Sequence, residues 1–142
     1  FHRKAAAGGI GMTTVSYVAV SEDGRGAPNE IHVHDGARPG LERIASVVHG
    51  EGSAIAAQLG HAGPVGNLPG KKILGPSKGR TMMGDKVTEI TKGEIDQVVA
   101  DFARGASMLA DSGFDSGGVP TTARSKPTSM GPILSKSPPL LW

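Results

Sequence analysis

Two short apolar runs, each followed by a stretch with helical spacing, constrain this chain more than any other feature. Ile10 to Val20 (IGMTTVSYVAV) is rich in β-branched residues, with Gly8-Gly9 before it and Ser21-Glu22-Asp23-Gly24 after it. Ala54 to Leu59 (AIAAQL) is shorter, with Gln58 as its one polar residue. Runs of this kind read as strands buried on both faces, the pattern of parallel strands covered by helices. After the first run, Pro39 suits the first turn of a helix, where its missing N–H costs nothing. Leu41, Ile44, Ala45, Val47 and Val48 follow at helical spacing, and Gly50 and Gly52 end the pattern, so a helix is predicted over 39–50. After the second run, Thr91-Lys92-Gly93-Glu94 is a capping-box pattern. Ile95, Val98, Val99, Phe102, Ala106 and Leu109 then recur along one helical stripe, expected to be the sheet-facing side of a helix over 91–112. Gly113 is placed to end that helix, and Phe114-Asp115 read as the first residues of another strand. The order strand, helix, strand, helix, strand predicts an α/β fold with a parallel sheet and right-handed crossovers.

The connections differ in character. Residues 22–38 read mainly as loop, with Ile31-His32-Val33-His34 as a short extended piece. Residues 61–90 read as a long glycine-rich connection interrupted by Pro64, Pro69 and Pro76. Loops of that length are uncommon in compact domains and tend to carry function. After Asp115 the composition changes: of the 27 residues from Ser116 to Trp142, 16 are Pro, Gly, Ser or Thr. A coil is expected there, which divides the chain into a folded part over 1–115 and an irregular C-terminal tail over 116–142.

Composition narrows the function. The tail holds Arg124, Lys126 and Lys136 and no acid; removing these 3 from the 15 basic residues leaves 12 against 13 acidic ones in 1–115. The basic residues are scattered and aromatics make up 4%, which argues against a nucleic-acid surface. There is no cysteine, so disulfides, thiolate catalysis and cysteine metal sites are excluded. No apolar run approaches the ~20 residues of a membrane span, and Arg3-Lys4 followed by Ala5 to Met12 is too short and glycine-broken for a signal peptide. The expectation is a cytoplasmic protein. It opens on Phe1 rather than Met, so the natural start is expected to lie upstream.

Few residues invite a chemical role. Gly8-Gly9-Ile10-Gly11 precedes a strand instead of following one, so it reads as a turn and not a dinucleotide fingerprint. His32 and His34 would share a face beside Asp35, but a metal needs three or four ligands and a supporting shell. They read as exposed loop histidines, and no metal site is expected. Gln58 is different, because an amide inside an apolar strand must find partners or be costly to bury.

Three segments, in this order and spacing, resemble the NADH:flavin oxidoreductases of the old yellow enzyme family. They are Arg3 to Val15 (RKAAAGGIGMTTV) with Val18 to Arg25 (VAVSEDGR), Gln58 to Gly63 (QLGHAG), and Leu109 to Asp115 (LADSGFD). The resemblance covers about residues 3–115. It implies part of a (β/α)8 TIM barrel: strand two over 10–20, helix two over 39–50, strand three over 54–60, helix three over 91–112 and the start of strand four. It implies FMN as cofactor, NADH or NADPH as reductant and a small-molecule substrate, an activated alkene. Gln58 would hydrogen-bond the pyrimidine edge of the flavin, Tyr17 would lie beside the ring and contact it through backbone, and His61 would shape the nearby loop. The family's substrate-polarising His-x-x-His or His-x-x-Asn pair has no counterpart here, since no histidine follows His61. No catalytic residue is therefore assigned, and the polypeptide is expected neither to retain FMN nor to turn over substrate. A frameshift, misassembly or premature end near Asp115 would account for the change of composition. The alternative is a non-catalytic half-barrel that acts as a binding or assembly module, with a homo-oligomer as its natural form.

Overall fold

The computed structural model describes residues 1–66 and 68–118. A short helix, α1 (His2–Ala7), leads into strand β1 (Met12–Ala19), helix α2 (Arg38–His49) and strand β2 (Ala54–Gly60). Three small strands follow, β3 (Ile73–Gly75), β4 (Gly79–Arg80) and β5 (Lys86–Glu89), then helix α3 (Lys92–Asp111) and strand β6 (Ser116–Gly118). The main sheet has the order β1-β2-β6 and is parallel throughout. The two apolar runs thus lie side by side and point the same way, with the helices between successive strands, as the barrel reading requires.

The apolar side chains explain which face the helices cover. Val15, Ile55, Ala57 and Leu59 from the strands meet Leu41, Ala45 and Val48 of α2 and Met108 and Leu109 of α3 in one core. Each fully buried valine, leucine, isoleucine or methionine side chain in it contributes roughly 1.5–3 kcal/mol. The expectation of a first strand buried on both faces is overturned. Met12, Thr14 and Ser16 alternate outward and are exposed, because among the described residues the helices cover only one side of the sheet.

α3 opens as its sequence predicts. The Thr91 hydroxyl accepts the Glu94 N–H, and the Glu94 carboxylate accepts the Thr91 N–H at 2.8 Å. Lys72 also binds this carboxylate and, with Thr91, holds it down to about 2. The expected sheet-facing stripe holds along its second half, where Leu109 is buried and Phe102 and Ala106 pack against the core. Its first half is corrected: Ile95 and Val99 are exposed, and Asp101, Gly105 and Met108 join Leu109 on the buried side of α3. Gly105 is the reason the helix can sit so close. A Cβ there would stand 3.1 Å from both Leu59 Cδ2 and Val33 Cγ2. Asp101 is tolerated in this face because Gln97 donates to it and Arg104 pairs with it, both at 2.9 Å.

The connection 61–90 is not structureless. β5 pairs parallel with β3 and antiparallel with β4, and Leu74 and Val87 are buried. Gly75 makes this possible, since a Cβ there would meet Val87 Cγ1 at 2.6 Å. The extended piece at Ile31 to His34 is present: Ala19 donates to Ile31 and accepts from Val33, bridging β1 to His32.

The exit of α3 shows what Gly-Phe-Asp does. Gly113 adopts φ +87°, the left-handed region that favours glycine. The chain then turns so that the buried Phe114 donates back to Leu109. The Asp115 carboxylate accepts the Ile55 N–H and the His49 Nε2–H, each at 2.8 Å, while its own N–H donates to the Ile55 carbonyl. One side chain thereby ties the end of α2, the start of β2 and the start of β6. The chain does not turn to coil at Ser116: β6 continues to Gly118, with Ser116 opposite Ala56 and Gly118 opposite Gln58. The rest of the expected tail, from residue 119, lies outside the described residues.

Burial pushes the Asp115 carboxyl up, but the His49 and Ile55 hydrogen bonds outweigh it and leave the group below the ordinary carboxylate range. The stability this confers is present above the unfolded-state value of about 3.9 and is lost as pH falls through the lower folded value. Asp115→Ala strands the Ile55 N–H and is expected to cost about 1–3 kcal/mol at neutral pH. Asp115→Asn is expected to flatten the acid limb of a urea-denaturation series taken from neutral pH downward; an unchanged limb contradicts this role.

Candidate functional site

In a parallel barrel the chemistry gathers at the C-terminal ends of the strands and in the loops that follow them. Here that rim is formed by the ends of β1, β2 and β6. Its geometry depends on an irregularity in β1. Val15 pairs with Ala57 and Val18 pairs with Leu59, so Ser16 and Tyr17 together stand opposite Gln58 alone. This is the two-against-one count of a β-bulge, a device that re-aims side chains.

The bulge sends its two residues to different tasks. The Ser16 hydroxyl donates to Gln58 Oε1 across the sheet. The Tyr17 ring lies flat on Gly60: a Cβ there would stand 2.5 Å from Tyr17 Cδ2. The phenol hydroxyl reaches the loop after β1, beside Gly26 and the Glu30 carboxylate, which itself accepts the Gly26 N–H. Burial raises the phenol pKa, and the Glu30 charge and hydrogen bond raise it further, against a smaller opposing effect of the Gly26 N–H.

His61 also turns to this loop. Its Nδ1 accepts the Gly63 N–H at 3.0 Å, which leaves the proton of the neutral ring on Nε2. That Nε2 is buried with no partner among the described residues, and the ring packs on Gly24. The loop after β2 is held in turn by the small sheet, since Gly63 approaches the Leu74 carbonyl and Gly75 approaches Pro64. Glu22 forms ion pairs with Lys71 at 3.1 Å and Arg25 at 3.5 Å, joining the two loops across the rim.

The three residues expected from sequence therefore gather at one rim in different postures. The side chains of Tyr17 and His61 are committed to the loop over 24–30. Gln58 remains half-buried on the uncovered face with one carboxamide bond, from Ser16, and its Nε2 donates to nothing among the described residues. Next to it lies Gly118, with nothing among the described residues within 4 Å of where its Cβ would be. Among the described residues the site thus presents an oriented donor group beside a strand position without a side chain, an arrangement suited to the edge of a planar heterocycle.

Sequence reasoning missed Ser16 and Glu30. Ser16 does carry a faint signal, a polar residue in step with Met12 and Thr14 on the exposed face. Glu30 carries none, because its pairing with Tyr17 arises from loop folding. Among the described residues no three histidine or acidic side chains gather as metal ligands, and His32 and His34 stack on each other with centroids 4.5 Å apart. No helix among the described residues is long and apolar enough to cross a membrane.

Comparison with known proteins gives the family and the fold. The sequence profile of the NADH:flavin oxidoreductase / NADH oxidase family matches residues 1–120. A 4,4'-dithiodibutanoate disulfide reductase of Rhodococcus erythropolis is 45% identical over 121 residues, covering 81% of this chain and 29% of the relative. An NADPH dehydrogenase of Listeria monocytogenes serotype 4b is 35% identical over 111 residues, covering 78% of this chain and 33% of the relative. The chain thus spans about a third of the length of these curated relatives. The crystal structure of old yellow enzyme from Pichia sp. AKU4542 superposes with a TM-score of 0.76 at 21% identity, over 84% of this chain and 35% of that one. At that identity the likeness establishes the fold, part of the old yellow enzyme barrel.

The protein has a single tyrosine, so its phenol can be titrated by absorbance without interference from another. The midpoint is expected above the ordinary phenol value in the folded protein and at that value in urea. Glu30→Gln is expected to lower the folded midpoint; a folded midpoint equal to the urea one contradicts the placement of Tyr17.

Proposed function

Because the chain belongs to the NADH:flavin oxidoreductase / NADH oxidase family, we propose that it forms the part of an FMN-dependent reductase that grips the pyrimidine edge of the flavin. The observation that carries this reading is Gln58, whose carboxamide is held by Ser16 near the end of β2, with its Nε2 unpartnered among the described residues and Gly118 beside it in the sheet. The residues fit the group. A carboxamide offers a donor and an acceptor in one plane, and the pyrimidine edge of an isoalloxazine carries carbonyl acceptors and an imide N–H in one plane.

Bound FMN supplies the redox chemistry, taking a hydride from NADH or NADPH and delivering it to a small-molecule acceptor. The chain's own residues bind and orient. Gln58 sets the ring edge. Tyr17, with its side chain held on Gly60 and Glu30, leaves the backbone of the bulge at the ring position. His61 and Gly63 keep the loop after β2 in shape. The acceptor we favour is an activated alkene, reduced by hydride at its β-carbon and a proton at its α-carbon. The relative named for a disulfide places organic disulfides beside alkenes among the acceptors to be assayed.

A second reading, a non-catalytic assembly of two copies, is favoured by Ile95 and Val99, one turn apart on α3 and 46% and 62% exposed. Size exclusion over a dilution series separates the two. A dimer weakened by Val99→Lys supports assembly, and a monomer at every concentration removes it.

The flavin reading is tested by titrating the isotope-labelled protein with FMN to millimolar concentration and following amide resonances. The Gln58 side-chain amide is expected to shift, and Gln58→Ala to weaken binding about threefold to tenfold, the worth of one ordinary hydrogen bond. The same loss is expected with riboflavin, which lacks the phosphate. Affinity that does not depend on Gln58 contradicts the proposal.

A further inference from the structure

We propose that Ser16 is the positioning residue for Gln58, holding its carboxamide in the orientation that receives the flavin edge; this rests on the flavin reading of Gln58. The last torsion of a glutamine is broad, so a half-exposed carboxamide on a sheet face ordinarily samples many orientations. Here the Ser16 hydroxyl donates to Gln58 Oε1. The bond occupies one lone pair of Oε1, leaves the other free, and leaves both Nε2 protons free. A ligand then meets an amide plane that is already set, and less rotational freedom is lost on binding.

The backbone makes this arrangement specific to residue 16. In a regular parallel ladder Ser16 and Tyr17 would each face a separate residue of β2. The bulge places both against Gln58, and Tyr17 is drawn away onto Gly60 and toward Glu30, leaving Ser16 as the neighbour of the carboxamide. The hydroxyl bonds only to Gln58 among the described residues, and Ser16 itself is exposed. Its substitution removes little packing, so a fold-wide effect is not expected.

The test uses Ser16→Ala, Ser16→Thr, Gln58→Ala and the Ser16→Ala/Gln58→Ala double variant, with FMN as the probe. In the unliganded protein, Ser16→Ala is expected to move the Gln58 side-chain amide resonances toward those of a free amide while the backbone amides of 54–60 stay in place. Ser16→Thr, which keeps the hydroxyl, is expected to restore them. On titration, Ser16→Ala is expected to weaken FMN binding about threefold to tenfold when Gln58 is present and to change nothing in the Gln58→Ala background. Equal weakening in both backgrounds, or no change in the amide resonances, overturns the proposal. If Gln58→Ala weakens binding and Ser16→Ala does not, the role of Ser16 falls alone. If Gln58→Ala is itself without effect, the flavin reading and this inference fall together.

Discussion

Two residues of β1 stand where β2 supplies one, and the shape of the rim follows from that mismatch. A parallel ladder without the bulge would continue the alternation of Met12, Thr14 and Ser16 outward and Thr13 and Val15 inward. The extra residue lets Val18 return to the core, with none of its surface exposed, while Tyr17 leaves the strand direction for the loop. It also turns the hydroxyl of Ser16 onto the carboxamide of Gln58. Gly60 completes the arrangement, because any side chain there would collide with the tyrosine ring. A polar site is thus built on an apolar sheet by changing one backbone register, without burying a charge.

The opposite end of the sheet is where these elements are secured. The carboxylate of Asp115 reaches back to the N–H of Ile55 and to His49, and Ser53 donates to the Ile10 carbonyl. These bonds set the register in which Gly118 falls beside Gln58. The Gly-Phe-Asp segment that marks the family resemblance therefore acts far from the rim. It fixes strand order and register, and the geometry of the site is a consequence of both.

Much of this was legible in the residues. β1, α2, β2 and α3 were visible because each carries its own period, and the capping box at Thr91 and Glu94 is local chemistry that needs no tertiary context. Gln58 was visible because a lone amide interrupts an apolar run. The rest depended on contacts between distant segments. Nothing near Ser16 announces a bulge, since the register is a property of the pair of strands. The small sheet over 73–89 escaped because Ile73-Leu74 and Val87 are too short to show alternation and are held by a close approach at Gly75. The burying side of α3 was legible at Phe102, Ala106 and Leu109, but Gly105 escaped because it carries no hydrophobic signal, yet a missing side chain is what brings the helix onto Leu59 and Val33.

The central claim is that the Gln58 carboxamide, set by Ser16, is the group that meets the flavin ring. A crystal structure of the protein grown with FMN or riboflavin tests it most directly. The account predicts the pyrimidine edge within hydrogen-bond distance of the Gln58 carboxamide, with the Ser16 hydroxyl still on Oε1 and the ring lying over the position of Gly118. A flavin seated elsewhere, or a Gln58 side chain turned away from an occupied ring, would contradict it.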